Sequence, residues 1–187
     1  MGEIKSAWEI AQEKADKLGE LTSEERKKQR EDRCRLIGKT LAEKYLSRHD
    51  ARLLEAELSK HSVRDKELIS RAVLHRLVEG IDLRYSLKLD EIGQGILSLS
   101  KAEASAQIMD EIKEIFHEYR EAENKERQEI ERAGREILHQ LRISGTAISQ
   151  INIRAKEEWL KQLNELAQPF EEKLNNLKQE LLSSVSI

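Results

Sequence analysis

Only one cysteine, Cys34, and one proline, Pro169, occur in the 187 residues, and aromatic residues make up just 4%. A single thiol cannot close an internal disulfide, which fits a reducing, cytoplasmic setting. It also leaves no cysteine pair for a zinc site. No run of about 18 apolar residues exists, so no membrane span is expected. No apolar signal-peptide core follows the first residues. The start Met1-Gly2-Glu3-Ile4-Lys5-Ser6 fits only the short, loose myristoylation pattern. Gly93-Gln94-Gly95 is followed by Ser98 rather than glycine, so the dinucleotide fingerprint fails, and no P-loop lysine is present. No Ser, His and acid grouping has the local context of a nucleophile elbow. An excess of one charge is missing too: 33 basic and 36 acidic residues are mixed along the chain, for a net charge of −3. That balance argues against a dedicated nucleic-acid protein, which concentrates basic charge on one face.

What is abundant is charge, at 37% of residues. High charge with few aromatics can mean disorder, but here the apolar residues are periodic, the pattern of long charged helices. The stretch from Lys101 to Arg142 is the clearest case. Ile108, Ile112, Ile115, Tyr119 and Ala122 alternate steps of four and three, and Ile130, Ala133, Ile137 and Leu141 resume the pattern. This keeps one apolar seam on one side of a helix, as in a coiled coil or bundle edge. Glu121/Lys125, Glu123/Arg127 and Glu131/Arg135 are favourable i,i+4 pairs, each contributing about 0.3 kcal/mol. At about 1.5 Å rise per residue the helix would be roughly 60 Å long, too long for a compact domain of this size. Between Ala122 and Ile130 the seam passes Glu126, a charged break in the heptad that can fix register at a cost in stability.

Ile4, Trp8, Ala11, Ala15 and Leu18 form a second seam near the start, closed by Gly19. Thr22 and Glu25 have the form of a capping box. A helical segment follows from Ser23 to Lys60, with Cys34, Ile37, Leu41 and Tyr45 on one side and a kink or break at Ser47–Asp50. Ser62 is placed to cap a helix over Val63 to Glu79, the most apolar of the set, which Gly80 ends. From Ile81 to Asp90 the period changes to two, which on a strand would put Ile81, Leu83, Tyr85, Leu87 and Leu89 on one face. Its only candidate partner is Leu141 to Ile153, so a minor two-stranded β element is one option and an amphipathic connector or short helix the other. Gly93 and Gly95 suggest a loop. The last helix begins near Ala155, with Trp159, Leu163, Leu166, Phe170, Leu174, Leu177 and Leu181 as its seam. Pro169 either kinks it or starts a new helix.

Ile4-Lys5-Ser6-Ala7-Trp8-Glu9-Ile10-Ala11 through Glu24-Glu25-Arg26, with Glu157-Glu158-Trp159 through Leu177-Lys178-Gln179-Glu180-Leu181, resembles a bacterial family of small helical proteins of unassigned function. The resemblance covers about a quarter of the chain. It implies a bacterial, cytoplasmic protein and supplies no activity or site.

Two Glu-x-x-His pairs, Glu114/His117 and Glu136/His139, have the spacing used by di-iron bundles. They lie on one predicted helix roughly 33 Å apart, and both point away from the seam, so they are expected at the surface. Cys34 lies between Arg33 and Arg35, which can lower a thiol pKa, but its position on the Ile37/Leu41 face makes it a seam residue. The densest basic run, residues 26–39, has no interleaved aromatic for base stacking.

The expected fold is mainly α: an elongated helical bundle or coiled coil with one long charged helix, and narrow seams in place of a large globular core. It divides into N-terminal helices over 1–60, an apolar helix with connector over 61–100, and the long helix, loop and last helix over 101–187. The expected function is non-enzymatic, a scaffold, adaptor or complex subunit without cofactor or metal, self-associating as a homodimer and contacting another protein. The residues expected to carry association are Ile4, Trp8, Leu18, Ile112, Ile115, Tyr119, Ile137, Trp159, Leu163, Phe170 and Leu174. Nucleic-acid binding through the 26–39 run and a chaperone-like role are the alternatives.

Overall fold

The computed structural model describes residues 22–100, 102–143, 152 and 156–184. The first seam, with Ile4, Trp8 and Leu18, lies outside the described residues. Among the described residues the fold is all helical: α1 (Ser23–Arg48), α2 (Ala51–Ser59), α3 (Val63–Glu79), a 3-10 turn (Leu83–Lys88), α4 (Leu89–Ser100), α5 (Glu103–Gln140) and α6 (Glu157–Ser184). None of these helices is long and apolar enough to cross a membrane.

Local chemistry sets most of the boundaries. Thr22 and Glu25 form the capping box in full: the Glu25 amide donates to Thr22 Oγ1 at 3.2 Å, and the Thr22 amide donates to Glu25 Oε2 at 2.8 Å. α1 ends at His49, which adopts the left-handed conformation (φ 55°). Asp50 then caps α2, accepting from the Arg52 and Leu53 amides. Ser62 caps α3 through the Asp65 amide. Ala102 precedes α5 with no side-chain cap.

Of the two options left open for residues 81–90, the structure takes the short helix and not the strand: they form the 3-10 turn and enter α4. Leu83 and Leu89 point inward, whereas Tyr85 and Leu87 are exposed. Tyr85 departs from helical geometry (φ −121°, ψ 51°), and this kink within the segment breaks the alternation. Arg120 from α5 donates to the Ser86 hydroxyl and ties this turn down. Of its proposed partner strand, residues 144–151 and 153 lie outside the described residues, and Leu141–Arg142 make a turn. Gly93 and Gly95 are not loop residues either. Both sit inside α4, where a Cβ on Gly95 would fall within 2.5 Å of the Tyr45 ring.

The core is also larger than narrow seams. One hydrophobic cluster draws Leu41 and Tyr45 from α1, Ile69, Val73 and Leu77 from α3 and Ile96 from α4 together with Ile112 of α5 and Leu181 of α6. It therefore crosses all three blocks expected from the sequence. α1 and α3 run parallel at close range, because Gly38 lets the backbones approach: a Cβ there would lie 2.5 Å from the Ala72 Cβ and 2.8 Å from the Ile69 carbonyl oxygen. Tyr45 donates its hydroxyl to the Glu91 carbonyl at 2.6 Å, joining α1 to α4.

Candidate functional site

α5 has 38 residues and so runs about 57 Å, against roughly 40 Å for the diameter of a compact chain this long. Its first half enters the core and its second half leaves it, accompanied among the described residues by α6 alone. The two helices are antiparallel. Tyr119 meets Phe170 edge to face, with ring centroids 5.5 Å apart. Equal rise along both helices then sets Ile112 level with Leu177, Glu126 with Leu163, and Ile130 with Trp159.

The two halves of this hairpin differ in how well they are covered. In the core half, Ile108, Met109, Ile112, Ile115 and Phe116 of α5 are buried, as are Leu174 and Leu181 of α6. Lys178 reinforces the junction by donating to the Ile81 carbonyl, and burial pushes its ammonium pKa down. In the distal half only Ile130 and Gly134 of α5 are buried. Ile137, Leu138, Trp159, Leu163, Leu166 and Phe170 are half-buried, and Leu160 and Leu141 are exposed. Two helices cover each other along a single line, so the flanks of an apolar stripe this wide stay open until a third helix lies against them.

Pro169 does not split α6, which continues through it. It removes one backbone hydrogen bond next to Phe170, where the hairpin passes from core to arm. Glu126 is half-buried on the seam, as expected from the heptad break, and the Glu123–Arg127 (2.6 Å) and Glu131–Arg135 (2.5 Å) ion pairs form beside it. Glu121 instead lies beside His117, at 3.8 Å. Burial raises the Tyr119 phenol pKa.

Of the residues expected to carry association, Ile112, Ile115 and Leu174 are covered by the chain's own helices. Tyr119 and Phe170 mark the junction, and Ile137, Trp159 and Leu163 line the open arm. Ala133 and Leu141, placed on the seam by spacing, are exposed, and Gly134 takes the inward position. Leu160 was missed because a strict heptad seam leaves it on the flank.

The other candidate chemistry disperses. Glu114, His117, Glu136 and His139 are all exposed on α5, and among the described residues no three His, Cys, Asp or Glu side chains converge as a metal site. Cys34 is buried, and its thiol pKa is raised by that burial and by Asp65, the reverse of what its flanking arginines suggested.

Comparison with known proteins finds no family model that matches the chain, and no curated protein or solved structure similar to it at a significant level.

Proposed function

We propose that this chain is a non-enzymatic interaction protein, a scaffold, adaptor or complex subunit, whose working surface is the distal α5–α6 arm. The observation that carries the proposal is the half-open apolar stripe of Trp159, Leu163, Leu166 and Ile137 with exposed Leu160 beside it. Such a stripe suits an amphipathic helix laid into the groove. The occupant proposed is the arm of a second copy, packed as a homodimer.

Size supports the reading. An arm about 30 Å long and two helices, about 20 Å, wide offers roughly 600 Å² per copy. The pair would bury roughly 1,200 Å², at the lower edge of specific association. A reversible dimer, with a Kd on the order of micromolar, is therefore expected rather than an obligate one. The Glu126 carboxylate on the seam fixes register there at a cost in affinity. Trp159→Ala with Leu163→Ala removes the largest apolar contacts without touching the core and is expected to abolish self-association. Unaltered association, measured by light scattering on the eluting protein, would refute the assignment.

A further inference from the structure

The basic run of α1 makes a built groove rather than a uniformly solvated face. Arg26, Arg30 and Arg33 are spaced four and three apart, so they share one stripe of α1. With Cys34, His61 and Asp65 they line a groove of about 440 Å³ at the amino end of α3. Asp65 is the only carboxylate among its described lining residues, and it is already engaged. Its Oδ1 accepts from Arg30 Nε at 2.6 Å and from Cys34 Sγ at 3.6 Å, and its Oδ2 accepts from Ser62 Oγ at 2.8 Å. Of the acidic residues of α1, Glu25 closes the capping box and Glu31 faces Lys27 at 4.0 Å, and none of the five is among the described residues lining the groove.

Arg30 is thus held by its Nε, while its two terminal amino groups have no protein acceptor among the described residues. Arg33 likewise has no ion pair among them. The positive end of the α3 dipole adds to the same field. Guanidinium groups on one stripe repel one another, and a bidentate oxyanion relieves that repulsion while matching their donor geometry. No Phe, Tyr or Trp side chain is among the described lining residues, so the groove lacks a large aromatic platform for base stacking.

We propose that this groove is an oxyanion site for a phosphate group, free or as a small monoester, held by Arg30 and Arg33 with His61 at its edge. Above about pH 6 such a group is a dianion, whose oxygens match the terminal amino groups of Arg30, left over from its Nε bond to Asp65, and the guanidinium of Arg33.

The test is a titration of the full chain, followed by amide chemical shifts at constant ionic strength, with inorganic phosphate, glycerol phosphate and sodium chloride. Saturable shifts confined to residues near 26–37 and 61–66 are expected with the first two and not with chloride. Tighter binding of glycerol phosphate would assign the ester, and equal or weaker binding would assign the free ion; both uphold the site. Arg33→Gln should weaken binding about tenfold. Arg35→Gln, which removes the same charge from the same helix outside the groove, should change it by less than about twofold. Equal losses in the two variants would show a diffuse charge effect and overturn the proposal. So would preferential binding of a single-stranded oligonucleotide with a steep salt dependence, the signature of a phosphodiester track.

Discussion

At Gly38 the backbones of α1 and α3 come so close that a methyl group has no room, since the nearest obstacles include the Ile69 carbonyl as well as the Ala72 side chain. In an exposed helix a Gly→Ala change stabilises by about 1 kcal/mol. Here the crowding dominates, and Gly38→Ala is expected to destabilise by about 1–3 kcal/mol, read as a lower urea midpoint. An unchanged midpoint would mean the helices can separate without loss. Asp65 gives a pH-dependent counterpart. Hydrogen bonds from Arg30 and Ser62 hold its carboxyl below the usual aspartate value, about 3.9 in an unfolded chain. A group depressed in the folded state contributes stability above its unfolded pKa and loses it as pH falls through the folded pKa. Asp65→Asn should therefore be less stable than the native chain at pH 7, and the gap should close below about pH 4. Denaturation curves across that range check it, and a gap that persisted undiminished into stronger acid would contradict it. Neither position was legible in the sequence, because both depend on a partner more than 30 residues away.

Helix ends, by contrast, were largely legible, since capping joins residues only three apart. Thr22 with Glu25, Asp50 and Ser62 each start the helix that their side chains suggest. The segment over 81–96 was not. Its alternating leucines match a strand, but only Leu83 and Leu89 among 83, 85, 87 and 89 are buried, because the chain turns and kinks at Tyr85 instead of running extended. Gly93 and Gly95 look like loop residues until Tyr45, distant in sequence, is packed against α4. Along α5 the heptad pattern held in the core half and at Glu126, then drifted at Ala133, where Gly134 turns inward instead. Glu126 offers a test of the seam itself. Replacing a half-buried carboxylate level with Leu163 by leucine should raise stability by about 1 kcal/mol, a rise of about 2–4 °C in Tm for a chain of this size. If Glu126→Leu left both Tm and oligomeric mass unchanged, Glu126 would not lie on a working seam.

At the scale of the molecule, among the described residues, a small helical core and a two-helix arm share α5 and α6, and this division separates two kinds of apolar residue that look alike in sequence. Leu174 and Leu163 both sit on the α6 seam, yet one is buried and the other half-open. Leu174→Ala should cost about 2–5 kcal/mol of stability, whereas Leu163→Ala should act mainly on association. The most direct test of the arm is sedimentation equilibrium of the full chain at micromolar concentration, beside the Trp159→Ala, Leu163→Ala double variant. The account predicts a native mass rising with concentration toward twice the 21.7 kDa of one chain, and a variant that stays at the single-chain mass with its helical content and Tm nearly intact. A native chain that remains monomeric throughout, or a double variant that associates as the native chain does, would contradict it.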